Sequence, residues 1–218
     1  MSAGDDQRAT GVDAVTVLLK APAKLTLSLR ITDTLPNGFH EIDAEMVTLD
    51  LCDDVEVTER QPTSIELIGA SVDVPAGPEN LVHRALDHVG RQAQVKLVKR
   101  IPSKAGLGGG SADAAAILRW AGVSDPLEVV ELGSDVAFCL IGGRARVTGA
   151  GECIDPLPFE EREVTLLHPP LACSTVEVFR AWDRLGGPVG PGPNDLVQAA
   201  LAVQPALARW RDRLRDAT

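Results

Sequence analysis

Short apolar runs and alternating positions along the first half of the chain predict strands. Beyond a polar stretch at 1–13, Val15 to Lys20 is a β-branched run. LTLSLRI at 25–31 sets Leu25, Leu27 and Leu29 on one face of a second strand, with APAK between the two. The turn Leu35-Pro36-Asn37-Gly38 breaks the chain before Phe39-His40-Glu41, the apolar pattern resumes from Ile42 to Leu51, and Asp54 to Glu59 predicts a further strand. The period then changes. After the Pro-Ala-Gly-Pro loop at 75–78, Leu81, Ala85, Leu86 and Val89 recur at helical spacing between Asn80 and Gly90, with Gly90 as the stop. Gln94 to Arg100 alternates again and leads into IPSKAGLGGGSADAAAILRWAG, a loop followed by an alanine-rich helix from about Ser111 to Ala121. A short helix is predicted after Asp125-Pro126, then the loop Leu132-Gly133-Ser134-Asp135 and a strand from Ala145 to Thr148. The proline clusters at 156–158 and 169–170 mark a change of element or of domain. Beyond them the pattern predicts a strand (Glu163 to Leu167), a helix (Ser174 to Leu185), a Gly/Pro-rich loop (Gly186 to Pro193) and a final helical stretch. No internal repeat is visible.

Composition narrows the class. With 218 residues and 44% hydrophobic content the chain can fill a substantial core. A net charge of −10 leaves no basic surface of the size that a nucleic-acid backbone needs, so nucleic acid is not an expected partner. Cys52, Cys139, Cys153 and Cys173 lie far apart with no C-x-x-C spacing, which predicts reduced thiols rather than a zinc site or a disulfide framework. The polar, acidic start has no apolar core, and no run of about 18 apolar residues occurs. A cytoplasmic protein with no membrane partner is expected. Oligomeric state is not legible.

Candidate chemistry centres on 102–115, PSKAGLGGGSADAA. Four glycines, Gly106, Gly108, Gly109 and Gly110, stand before a helix whose expected N-cap is Ser111. Small residues let backbone amides approach an anion, and the first helical turn directs partial positive charge at it. The string is neither a Walker A loop, having no terminal Gly-Lys-Ser/Thr, nor the dinucleotide fingerprint. On glycines alone, a phosphate cradle and a flexible turn capped by Ser111 remain equal readings.

The whole string, however, resembles the second motif of the GHMP kinases. Further segments follow in order: APAKLTLSLRI, PNGFHEI, LDLCDDVEV, PENLVHRA, KRIP, LGSDVAFCLIGGRARVTGAGECIDPL, PPLACSTVEVF and NDL at 194–196. Collinear from about residue 20 to 200, they are similar to the branch of non-mevalonate isoprenoid (terpenoid) biosynthesis, whose acceptor is a cytidine diphosphate-linked methylerythritol.

This resemblance implies an α+β GHMP kinase fold. A mixed-sheet nucleotide-binding domain is expected at 14–158, with an incomplete ferredoxin-like domain at 159–218. It also implies transfer of the γ-phosphoryl group of ATP, with Mg²⁺ carried largely by the phosphates and no dedicated protein metal site. Lys24 and Asp135 take the catalytic positions, where a carboxylate accepts the alcohol's proton and an ammonium offsets charge on the moving phosphoryl group. The alternative is a surface lysine and a helix-capping aspartate. Pro102, Gly106, Leu107, Gly108, Gly109, Gly110, Ser111 and Asp113 fall on the nucleotide loop, and Asn80 and Lys99 on adenine-side positions. Asn80 reads alternatively as a helix N-cap and Lys99 as an edge-strand charge. Phe39 and His40 match the pair that holds the cytosine, with Phe179 on the other side or in a core.

Thr26 stands near Lys24 where the branch has Asn. The stretch from Ala115 to Gly133 is shorter than usual, and RDRLRDAT falls where the family continues into a third glycine-rich motif. Weak ATP binding and poor turnover are the expectation that follows. A kinase for another small alcohol and an impaired paralogue that binds only nucleotide or a partner remain as alternatives.

Overall fold

Two long strands, β1 (Thr16–Thr34) and β2 (His40–Thr58), run antiparallel along their whole length in the computed structural model. It describes residues 14–36, 38–69, 74–187 and 190–217. The polar tail at 1–13, Asn37 of the turn and residues 188–189 of the Gly/Pro-rich loop lie outside the described residues. The two strands predicted on either side of APAK are one. Pro22 has no N–H to give the ladder, so the pairing slips between Pro22 and Lys24, and again between Thr26 and Ser28, without ending the strand. Likewise the runs at 42–51 and 54–59 are both parts of β2.

The far edge of β2 is shared. β5 (Arg144–Gly149) pairs with Ile42 to Val47, and β4 (Gln94–Val98) pairs with Asp54 to Thr58, so residues 48–53 lie open between them. β3 (Ser64–Ile68) extends the sheet parallel to β4, and β6 (Cys153–Pro156) extends it beyond β5. Sequence pattern gave no signal for these two short outer strands.

Between β3 and β4 the chain forms α1 (Leu81–His88), capped by Asn80 and closed where the Arg91 amide reaches the Leu86 carbonyl at 3.0 Å. α2 (Gly109–Ala121) packs against α1, β1 and α3 (Ser134–Ile141). Short 3-10 turns at Pro126–Glu128 and Val130–Leu132 join α2 to α3. The loop expected at 132–135 is thus only partly a loop: α3 begins at Ser134, because Val136, Ala137, Phe138, Cys139 and Leu140 form a continuous buried run. The core under the sheet is filled by Val55, Val57, Val82, Leu86, Ile117, Leu118 and Phe138, all essentially inaccessible. Each such side chain contributes roughly 1.5–3 kcal/mol relative to exposure. Alanines at 112, 114, 115 and 116 are buried too, and their small size lets α2 lie close to its neighbours.

After residue 159 the described residues form helices only: α4 (Thr175–Arg184), α5 (Val197–Val203) and α6 (Leu207–Ala217). The strand expected at 163–167 is absent. No neighbouring strand offers it a ladder, and Val164, Leu166 and Leu167 stay exposed. The final helical stretch is broken in two at Pro205, whose missing N–H cannot continue α5. Val178, Ala181 and Ala199 make a second small core between α4 and α5. This unit is stapled to β1. Buried Asp195 accepts from the Ile31 amide at 3.1 Å and from the Arg30 guanidinium at 2.6 Å, and the Leu29 amide donates to the Pro193 carbonyl at 2.8 Å. Burial alone would raise the Asp195 carboxyl, but these donors hold it below its ordinary value. Among the described residues no helix is long and apolar enough to cross a membrane.

Candidate active site

The glycine-rich segment turns sharply before α2. Gly106 and Gly108 lie at φ 75° and 66°, a region costly for residues with a Cβ. At Gly108 a Cβ would come within 2.8 Å of the Lys24 Cγ, so the backbone rides directly on the lysine stem. Gly108, not Ser111, is the N-cap. Its carbonyl accepts from the Ala112 amide at 2.8 Å, which closes the first turn before Ser111 is reached. No side chain caps this end, so its first-turn amides are available to an anion. Gly110 and the half-buried Ser111 lie in that turn, and buried Leu107 accepts from the Lys24 amide at 3.0 Å. Pro102 lies between the end of β4 and this turn, on the wall of a cleft of about 390 Å³ that Lys99, Ile101, Lys104, His168 and Pro169 also line.

Lys24 and Asp135 come together. Lys24, from the irregular stretch of β1, is buried, and its Nζ lies 3.2 Å from Asp135 Oδ2 in the first turn of α3. Thr26 Oγ1 accepts from the same ammonium at 3.3 Å, so a hydroxyl serves where the related branch carries an amide. A surface lysine without this contact is therefore ruled out. The carboxylate is 34% exposed, while the lysine beside it is 10% exposed.

Lys99 is not an edge charge. Its Nζ donates to both Asp53 and Asp113, and the three side chains are 6%, 0% and 3% exposed. Burial pushes the Asp113 carboxyl up to about 7 against the pull of Lys99, and Asp113 Oδ1 has no hydrogen-bond partner. Lys99 itself is held charged: burial opposes its charge, but the two carboxylates outweigh that. Asn80 is fully occupied as the cap of α1, accepting from the Val82 amide at 2.9 Å and donating to the Pro75 carbonyl at 2.6 Å. Sequence reasoning missed Asp53. The available signal was its spacing with Val55 and Val57, which puts a carboxylate on the buried face of β2.

At the start of β2, His40 stacks on Phe179 of α4 with ring centroids 4.9 Å apart and meets Trp182 edge-on at 5.5 Å. His40 Nε2 and Asp183 Oδ1 are 2.7 Å apart. Phe179, expected on the far side of a base from Phe39, thus stacks on His40 instead, and Phe39 is exposed. Trp182 and Asp183 escaped the sequence reading, since nothing in a helical heptad marks them as partners of a histidine more than a hundred residues away.

A glycine loop on an uncapped helix, with a paired lysine and carboxylate beside it, defines a class, and residues 80–143 match the family model described as the GHMP kinases N terminal domain. GHMP kinases take ATP as phosphate donor. The chain is 38% identical over 217 residues to the 4-diphosphocytidyl-2-C-methyl-D-erythritol kinase of Paracoccus denitrificans, covering 90% of this chain and 79% of that one. It is 40% identical over 180 residues to the enzyme of that name from Bacillus velezensis, covering 75% of this chain and 62% of that one. The crystal structure of a 4-(cytidine 5'-diphospho)-2C-methyl-D-erythritol kinase superposes with a TM-score of 0.63 at 29% identity, over 92% of this chain and 83% of the other. The chain belongs to the 4-diphosphocytidyl-2-C-methyl-D-erythritol kinase family.

Proposed function

We propose that this kinase transfers the γ-phosphoryl group of ATP to the 2-hydroxyl of 4-diphosphocytidyl-2-C-methyl-D-erythritol. The observation that carries the reading is the Lys24–Asp135 pair, 3.2 Å apart against the glycine-rich turn. In this reading Asp135 accepts the hydroxyl proton as the oxygen–phosphorus bond forms and the bond to the ADP oxygen breaks. Lys24 keeps Asp135 ionised and offsets charge on the moving group. The amides of Gly109, Gly110 and Ser111 hold the phosphates. Mg²⁺ would arrive on the nucleotide, carried largely by its phosphates. The Ser111 hydroxyl is the side chain best placed to join it. His40, Phe39 and Phe179 form the base-binding end, with the base stacked on Phe39 and hydrogen-bonded by His40, whose ring Phe179 supports. Residues 14–158 are read as the nucleotide-binding domain and 159–218 as part of the second, in a cytoplasmic enzyme.

The test is ADP formation with a panel of acceptors: the cytidine-linked methylerythritol, its uridine analogue, homoserine and mevalonate. Turnover with the first alone is expected. Preference for another alcohol would move the chain to a different substrate, and ATP binding without turnover on any of them would favour the binding-only reading.

A further inference from the structure

The nucleotide reading gives no role to Asp53, the third member of the charged cluster beneath the loop. Asp53 sits in the open stretch of β2 between β4 and β5, and it ties together elements that the sheet ladder does not. Its Oδ1 accepts from the Arg100 amide and, at 2.8 Å, from the Ile101 amide, while Oδ2 accepts from Lys99. Ile101 in turn abuts α2: its Cγ2 lies 3.1 Å from where a Cβ on Gly109 would stand, and Asp53 Oδ2 lies 3.6 Å from the same point. Lys99 then reaches across to Asp113 inside α2.

We infer that Asp53 is a positioning residue for the nucleotide: through Lys99 and the Arg100 and Ile101 amides it holds the end of β4 against the first turn of α2. The inference rests on the reading of 102–115 as the ATP site. A buried carboxylate that satisfies two amides and one ammonium has little freedom to move, so the groups it holds move little either. The turn that meets the phosphates is thereby fixed in place before ATP binds.

The same cluster carries charge to the site. Two carboxylates and one ammonium leave an excess negative charge where water is nearly excluded, and taking up one proton removes it. The ionisable groups packed around α2 include Lys24 on β1 and Asp135 on α3, which pair with each other, and Cys139 on α3, which burial pushes up to about 12 and so keeps neutral. They also include Arg119 of α2 itself, which donates to the Cys139 and Leu140 carbonyls, and Arg91, which stacks on Trp120. The buried residues of α1 are Val82, Ala85 and Leu86, none of them charged. With Asp113 titrating near about 7, a rise in pH leaves a negative charge under the polyphosphate, and ATP affinity falls.

The experiment measures ATP binding by calorimetry, together with KM and kcat, on the full chain between about pH 6 and pH 8, for wild type, Asp53→Asn and Asp113→Asn. Asp53→Asn should raise the Kd and KM for ATP about tenfold while kcat at saturating ATP changes less than about threefold, the split expected of lost positioning rather than lost chemistry. Asp113→Asn leaves Asp53 and Lys99 as a balanced pair, so its ATP affinity relative to wild type should improve about threefold across that pH range. This second variant decides the matter if Asp53→Asn does not fold. A folded Asp53→Asn with wild-type KM overturns the inference, as does Asp113→Asn tracking the wild type at every pH. Absence of ATP binding by the wild type overturns the nucleotide reading itself, and the inference with it.

Discussion

Around Lys99, three charged side chains hold one another and two backbone amides with almost no water present. Around His40 the ring is gripped by Phe179 and Trp182, and its charged partner Asp183 is 47% exposed. In the first region each charge is set by the others, so removing one partner leaves the rest uncompensated. In the second, the carboxylate is within reach of solvent and such a contact contributes roughly 0–1 kcal/mol, so the aromatic surfaces do more than the charge. On the proposed reading, the end that meets ATP, the same ligand for every GHMP kinase, is the buried one. The end proposed to recognise one particular acceptor is built from a few rings bridging β2 and α4, two units held together by the Arg30–Asp195 staple. Variants at the two ends should therefore fail in different ways.

The largest effect is expected between the two ends. Asp135→Asn should lower kcat by about 10²–10⁴-fold while calorimetry gives an ATP affinity within about twofold of wild type, because the carboxylate acts on the acceptor's proton. Wild-type turnover in this variant would remove Asp135 from the chemistry. Next in size is Gly109→Val, which puts a β-branched side chain where a Cβ alone would already stand 3.1 Å from Ile101. It should weaken ATP binding at least about a hundredfold and lower Tm, overpacking of this kind costing roughly 1–3 kcal/mol. Unchanged ATP affinity in the folded variant would return the segment to a simple turn. At the other end His40→Ala should raise KM for the cytidine-bearing acceptor about tenfold and leave KM for ATP within about twofold. A larger change in the ATP constant would break the division between the ends.

How far the sequence revealed this division follows the same physical line. The sharp turn before α2 was legible because consecutive small residues mark it, whereas the contact between Lys24 and Asp135 was anticipated only through the family resemblance of their two motifs. The long β1 was read as two strands, since Pro22 looks like an end until β2 is seen to carry the pairing past it. β3, β6 and α3 were missed. The first two are short edge strands, and α3 is buried nearly all round, so it shows no amphipathic period. The alternative reading of Lys99 as an edge-strand charge failed because Asp53, which buries and pairs it, is 46 positions away and meets it only through the sheet. Buried polar partners are chosen by tertiary packing, and local sequence carries little trace of them. The strand expected at 163–167 shows the converse: a good local pattern forms no strand where no ladder receives it.

Thermal stability separates the buried end from the exposed one by its pH dependence. Asp113 has a folded-state pKa of about 7 against an ordinary value of 3.8, so the folded chain binds that proton more tightly than the unfolded chain. Proton uptake therefore stabilises the fold. The contribution is complete below about pH 4, fades as pH rises toward about 7, and is gone above it. Asp113→Asn cannot show this dependence, and it keeps the Asp53–Lys99 pair balanced. Relative to wild type, its Tm should rise steadily from about pH 4 to pH 7 and then level off, with at most about 4 kcal/mol available to drive the change. Asp183→Asn, at the exposed end, removes a carboxylate that solvent screens and should give a difference from wild type of less than about 1 kcal/mol throughout. Thermal melts of both variants and the wild type at several pH values check the contrast. A Tm difference for Asp113→Asn that stays constant with pH would mean that the cluster holds no extra proton, and that its three charges are balanced in some other way.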